Sequence, residues 1–414
     1  MALEELKPSE KKTLHDLKLK LEESIKRNHL LFLDPNSQAQ KRSTILKPRI
    51  ASYSTNEVIS TSENSKISLW GVPLLPSKSN DCLDTILLKF LRAREFKLCE
   101  TFEMIQRTLR WRNEYGVDEI LKENLDSEYF MGTAYMDGFD REGHPVCYNV
   151  YRSLRKGGLY DKAFGSREKQ ERFLRWRVQF MERGIQELLS FKLGKASAMV
   201  QVIDLTDLLG SSMKELRSTI EKMIKIFQDN YPEFIFKNIF LNISLRHYAY
   251  RALFSPLLTQ RTESKFVFAR SYKVTETLLR YIDPENIPIQ YGGFKRENDD
   301  EFLAEDGRVS ETFVKGGKIT QVEIPIVEAG VTVVWDIIVV GWEVLYREEF
   351  IPDDEGSYKI LIKVEKKLDK PARNSFYIHE PGRLVFTIEN RTSKKKTIFY
   401  RSKFKHTIPC YKRN

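Results

Sequence analysis

The sequence predicts a multidomain protein: an α-helical N-terminal subdomain, an α/β domain with a mainly parallel sheet, and an all-β C-terminal sandwich. Three observations predict it. Two amphipathic helical segments fill residues 81–116 before anything that reads as sheet. Between about 130 and 296, short runs rich in Val, Ile and Phe alternate with helical stretches, the pattern of βαβ crossovers. After Gly316–Gly317 the helices stop, and regular short strands are joined by Gly, Pro and Asp turns.

In order along the chain, residues 3–33 are charged and Leu-spaced, which predicts a short helix. From Asn36 to Ser68 the chain is rich in Ser, Thr and Asn without apolar periodicity, which predicts a flexible linker. "LWGVPLLPS" (69–77) opens the folded body. Leu98, Phe102, Ile105 and Leu109 fall on one helical face, and Gly116 is the expected stop. Strands are expected at 145–150, 197–205, 238–243 and 265–269, with helices at 166–191, 212–230 and 244–258 between them. An acidic connector, "ENDDEFLAED" (297–306), precedes the sandwich. The expected divisions are 1–68, 69–129, 130–296 and 297–414.

At 414 residues the chain has room for two or three domains. A net charge of +10 biases it toward anionic partners, nucleic acid or acidic membrane. Cys82, Cys99, Cys147 and Cys410 are widely spaced with no CxxC pair, which argues for a reducing compartment and against a zinc site. The first residues lack the apolar core of a signal peptide. The longest apolar run, 331–342, carries Asp336 and is too short to span a bilayer. A cytoplasmic protein, at most peripheral to membrane, is expected.

Catalytic signatures are mostly absent. Gly194–Lys195 is the nearest approach to a P-loop, but Leu189 and Ala196 occupy the first-glycine and Ser/Thr positions. There is no GxSxG, HExxH or strand-following GxGxxG, and the six histidines show no i,i+4 pair. No enzyme activity, metal or other cofactor is expected.

The informative stretch is "LLTQRTESKFVFA" (257–269) with the segments before it. In helix 244–258, Leu245, Tyr248, Ala249, Ala252, Leu253 and Leu257 form one apolar face, and Pro256 breaks its last turn. Such a helix either packs on the sheet or serves as a lid. Pro232 ends helix 212–230, which leaves Glu233 in the turn to the next strand. Lys265 stands at the start of the strand after that. The two charges are either a surface pair worth about 0–1 kcal/mol or a polar socket for an anionic headgroup. Residues 391–414 carry nine Lys/Arg and no Asp or Glu, either a solvated basic edge or a contact for anionic lipid.

Together these residues resemble the CRAL-TRIO family of lipid-binding and lipid-transfer proteins. The resemblance rests on "ILLKFLRAREFKLCETFEMI", "DREGHPV", "NYPE", "SPLLTQRTESKFVF" and "PENIPIQYGGF", in order, and covers roughly residues 75–296. "WGVPLL" and the β-rich tail narrow it to the plant patellins, whose C-terminal module is a GOLD domain. The resemblance implies a lipid pocket floored by the sheet and closed by a gating helix, here 244–258. In members that bind phosphatidylinositol, the headgroup is met by positions that correspond to Glu233, Thr262 and Lys265. Arg92 and Arg94 fall in a motif that also contributes near the inositol phosphate. Members that exchange phosphatidylcholine use two tyrosines, a Ser and a Thr where this chain has Met136, Cys147, Met199 and Gln201. A choline cage is therefore expected to be missing.

The function this implies is non-catalytic: phosphatidylinositol or phosphoinositide binding and lipid transfer in vesicle trafficking, with cell-plate formation in cytokinesis as the patellin association. Two alternatives stand beside it. One is a membrane adaptor or tether that recruits partner proteins through the GOLD domain. The other is a carrier of another hydrophobic small molecule, against which the Glu233–Lys265 charges argue. The expected ligand is a bound phospholipid. Expected partners are phosphoinositide-containing membranes and proteins met through the GOLD domain, without nucleic acid, and the chain is expected to be monomeric.

Overall fold

The computed structural model describes residues 6–27, 30, 67–76, 81–126, 128–155, 158–206, 214–243, 264–303 and 309–406. Thr262, helix 244–258 with Pro256, most of the 36–68 linker and the tail beyond 406 lie outside the described residues. The chain divides into two compact units: residues 1–136, 143–238 and 259–266, and residues 137–142, 239–258 and 267–414.

The first unit begins with α1 (Pro8–Lys26), whose Leu14, Leu17, Leu21 and Ile25 form the buried stripe of an amphipathic helix. A two-strand ribbon, β1 (Ser68–Leu69) and β2 (Val72–Pro73), carries the "WGVP" entrance. Next come α2 (Asp81–Ala93) and α3 (Leu98–Tyr115). Phe102, Ile105 and Leu109 of α3 are buried, and Gly116 closes the helix at φ +64°, a left-handed conformation that suits glycine.

After α4 (Glu128–Met131) the chain enters β3 (Ala134–Phe139) and β4 (Pro145–Val150). Then follow α5 (Leu159–Phe164), α6 (Arg167–Leu188), β5 (Met199–Asp204), α7 (Lys214–Asn230), β6 (Ile235–Leu241) and β7 (Phe266–Phe268). The strands form one five-stranded sheet in the order β3-β4-β5-β6-β7. β4 and β5 pair in parallel, with Val146 opposite Val200 and Tyr148 opposite Val202. The bonds Asn238 N–Lys265 O and Ala269 N–Phe240 O advance the same way along both chains, so β6 and β7 also run parallel. β6 starts three residues earlier than the sequence suggests, directly after Phe234. The core of this unit lies between the helices and one sheet face, with Leu17, Leu87, Phe90, Ile105, Phe173 and Phe234 at its centre.

In the second unit, α8 (Val274–Leu278) and the turns around "PENIPIQYGGF" lead to eight strands. These are β8 (Ser310–Val314), β9 (Lys318–Ile326), β10 (Val331–Val339), β11 (Val344–Pro352), β12 (Ile360–Leu368), β13 (Ala372–Tyr377), β14 (Gly382–Asn390) and β15 (Lys396–His406). They form two antiparallel sheets, β13-β10-β15-β8 and β12-β11-β14-β9, around Trp335, Tyr346, Phe350 and Phe386. This is the expected sandwich. The run that carries Asp336 is its central strand β10, buried on both faces. Asp336 accepts hydrogen bonds from Arg296, Arg373 and Arg401. Arg373 also grips Asp299 of the connector with two bonds, at 2.6 and 2.8 Å. Among the described residues, no helix is long and apolar enough to cross a membrane.

Candidate functional site

The site grows from the turn between α7 and β6. Pro232 cannot continue the helix, so α7 ends at Asn230 and Tyr231 to Phe234 make the passage into the strand. Tyr231 is buried, and its hydroxyl donates to Glu182 Oε1 at 2.6 Å. Glu182, on α6, also takes Arg112 of α3 (2.7 and 3.3 Å) and the Trp70 indole N–H (3.3 Å). One buried carboxylate thus ties the entrance ribbon, α3, α6 and the turn together. Burial and Glu182 both push the Tyr231 hydroxyl well above its ordinary pKa. Burial alone would lower the Arg112 pKa, but Glu182 outweighs it and the guanidinium stays charged.

Glu233 sits at φ +55°, a strained conformation for a residue with a side chain. Its carboxylate meets Lys265 Nζ at 2.9 Å, and that ammonium donates also to the Ile235 carbonyl at 2.9 Å. The side chains are only 18% and 15% exposed, which sets this pair apart from a freely solvated one. Across 3 Å, unit charges attract by roughly 5 kcal/mol at an effective dielectric of about 20, most of it offset by desolvation. Lys265 and Glu233 therefore meet as the sequence suggests, in a setting where charge is weakly screened.

A third charge, absent from the sequence reading, joins them. Lys89 of α2 is 4% exposed and donates to the carbonyls of Ser197 (2.6 Å) and Glu233 (2.9 Å), with the Phe234 ring centroid 4.5 Å away. Burial pulls its pKa down to about 7; Glu233 opposes that, while Lys265 and Arg92 reinforce it. Arg92 thus belongs to the same electrostatic cluster. Arg94 does not: it caps the Ala93 carbonyl at 3.1 Å, and its charged neighbours are Arg107, Asp229 and Glu100 on α3 and α7. Burial, then Arg107, lowers the Arg94 pKa. The charged groups that act on Lys89 are Glu233, Lys265 and Arg92. Ammonium groups gathered in so sheltered a place can donate charge-assisted hydrogen bonds to an anion. Local pattern does not mark Lys89, because its partners lie 108 and 144 residues away.

The four positions expected to lack a choline cage share one sheet face: Gln201 stands opposite Cys147 in the β4–β5 ladder, and Met199 lies two residues before it on the same strand. Met136 and Met199 crowd Gly184 of α6, where a Cβ would lie 2.6 Å from Met136 Cε, and Cys147 is in the same core. Strand alternation turns the neighbouring Tyr135 and Tyr148 to the opposite face, where their rings stack at 5.2 Å. His144 and Phe236 stack at 4.0 Å. A separate cleft of about 700 Å³, lined by Tyr160, Phe164, Arg167 and Glu215 among others, shares no residue with the charged cluster.

Comparison with known proteins agrees with this architecture. A CRAL/TRIO domain model matches residues 129–293, and a CRAL/TRIO N-terminal domain model matches 38–107. The model of a Patellin-1-like C-terminal GOLD domain matches 315–396. Patellin-4 of Arabidopsis thaliana is 50% identical over 342 residues, covering 82% of this chain and 62% of its own length. Patellin-6 of the same plant is 41% identical over 346 residues, covering 83% of each chain. A protein named phosphatidylinositol transfer protein sfh5, from Emericella nidulans, is 28% identical over 216 residues, 48% of this chain and 51% of that one. A solved structure, the crystal structure of Sfh5, superposes with a TM-score of 0.51 at 21% identity, covering 70% of this chain and 90% of that chain. At that identity the likeness speaks for the fold alone.

Proposed function

This chain belongs to the patellin family, a CRAL-TRIO module followed by a GOLD domain, and we propose that it binds phosphatidylinositol or a phosphoinositide and carries it between membranes. The observation that carries this reading is the half-buried Glu233–Lys265 pair, with Lys89 hydrogen-bonded to the Glu233 backbone beside it. In this reading Lys265 takes the phosphate through charge-assisted bonds, and Glu233 accepts from the inositol hydroxyls. Thr262 adds a hydroxyl from the segment just before Lys265. Arg92 adds long-range positive charge, and Arg94 supports the helix end.

The acyl chains set the mechanism. Two chains hold about 30 methylenes, so exposing them to water costs roughly 25 kcal/mol at ~0.8 kcal/mol each. The pocket must therefore open onto the bilayer, and segment 244–258 is the proposed gate. Action at membranes in vesicle traffic, including cell-plate formation, and recruitment of proteins by the GOLD domain extend the same proposal, with the cytoplasm and membrane periphery as its place. An uncharged cargo fits less well, because it makes no use of the sheltered Glu233 and Lys265 charges.

Transfer of phosphatidylinositol between vesicles tests the reading. Lys265→Ala, shown to melt like the wild type, is expected to lose transfer by tenfold or more, since a hydrogen bond to a charged group contributes about 1.5–3 kcal/mol. Undiminished transfer would remove Lys265 from the headgroup site.

A further inference from the structure

Lys89 has a geometry that packing alone does not demand. A lysine is rarely fully buried, and this one sits in the apolar stretch of α2 between Leu88 and Phe90. Two of its three N–H groups go to the carbonyls of Ser197, just before β5, and of Glu233. The positive charge also lies over the Phe234 ring. The Glu233 carbonyl belongs to the left-handed residue whose side chain meets Lys265. The ammonium therefore grips the backbone of the one residue in the cluster whose conformation is strained.

We propose that Lys89 is a positioning residue of the headgroup site: it holds the Glu233 turn in its left-handed form, aims that carboxylate at Lys265, and supplies positive charge behind the phosphodiester. The inference rests on the phosphoinositide reading of the site. A consequence follows from the charged groups facing Lys89, which are Glu233, Lys265 and Arg92. Burial brings the Lys89 pKa down to about 7, so a neighbouring anion raises it and binding takes up a proton. Affinity is then full below about pH 7 and declines as pH rises above it. The ligand phosphodiester itself does not titrate there, so the slope belongs to the protein.

The test uses the full chain and vesicles of phosphatidylinositol in phosphatidylcholine, with binding measured from pH 6.5 to 8.5. Wild-type affinity is expected to fall several-fold across that range. Lys89→Met is expected to bind about tenfold more weakly at pH 6.5 and to lose the slope. Lys89→Arg, which keeps donor and charge, is expected to restore affinity at pH 6.5 with a flat profile. Circular dichroism checks the fold of each variant, and Lys89→Arg carries the test if Lys89→Met does not fold. Wild-type affinity and slope in Lys89→Met, or an undiminished slope in Lys89→Arg, would overturn the inference. Lys265→Ala separates the two levels. If it binds like the wild type, the headgroup reading itself fails. If it loses binding while Lys89→Met titrates like the wild type, only the role of Lys89 fails.

Discussion

Replacing Glu182 by Gln should open the lipid-binding unit at its most connected point. Gln keeps an acceptor for the Tyr231 hydroxyl and the Trp70 indole, so the change removes charge and little else. Arg112 loses its bidentate partner while remaining 6% exposed. Its other carboxylate, Asp118, lies at 2.6 Å but is 72% exposed, and screening limits such a bond to about 1 kcal/mol or less. Breaking a buried pair by removing one partner costs about 3–5 kcal/mol. Retained acceptor geometry and Asp118 put Glu182→Gln near the lower end, about 3 kcal/mol. Hydrogen–deuterium exchange of the α6 amides measures the opening free energy of this unit without the sandwich contributing. Adding Arg112→Met to Glu182→Gln should cost little more, a coupling of about 2–3 kcal/mol by double-mutant cycle. A loss below 1 kcal/mol for Glu182→Gln, or strictly additive losses, would refute the account of this hub.

Asp336→Asn leaves Arg296, Arg373 and Arg401 facing one another with Asp299 alone, and is expected to destabilise the sandwich by about 3–5 kcal/mol in urea denaturation. Burial by itself would raise the Asp299 pKa, but its bonds with Arg373 bring it down to about 2. A depressed carboxylate stabilises above its unfolded pKa, so this contribution holds at pH 5 and disappears as pH falls through about 2; acid titration of the sandwich, followed by tryptophan fluorescence, should show that late loss. Lys89 acts in the same sense at higher pH. Its folded pKa of about 7 lies below the ordinary lysine value of 10.5, so the unfolded chain binds more protons between those values and wild-type stability rises with pH. Relative to Lys89→Met, thermal denaturation should show a gain of up to about 5 kcal/mol across that window, from roughly 1.4 kcal/mol per pKa unit; no pH-dependent difference would contradict the buried charge.

Local pattern made much of the fold readable. β4 occupies residues 145–150 as its apolar run suggests, and Gly116 ends α3 by the left-handed turn expected of it. β3 was not readable, because "AYMDGF" contains an Asp–Gly pair that signals a turn and its residues are mostly half-buried. At the site, Pro232 placed Glu233 in a turn, and β6 with β7 bring Lys265 to it. Lys89 and Glu182 stayed hidden for a common reason. Each lies on a helix whose periodicity reports only which face is apolar, and each finds its partners through contacts distant in sequence. Asp336 reads as an interruption of an apolar run, whereas Arg296, Arg373 and Arg401 converge on it in the folded sandwich.

Mass spectrometry of lipid extracted from the purified full chain decides whether the protein holds an inositol lipid. Phosphatidylinositol or a phosphoinositide is expected in the wild-type protein, and its loss from a folded Lys265→Ala. Lipid without an inositol headgroup in the wild type, or equal phosphatidylinositol in both proteins, would contradict this expectation.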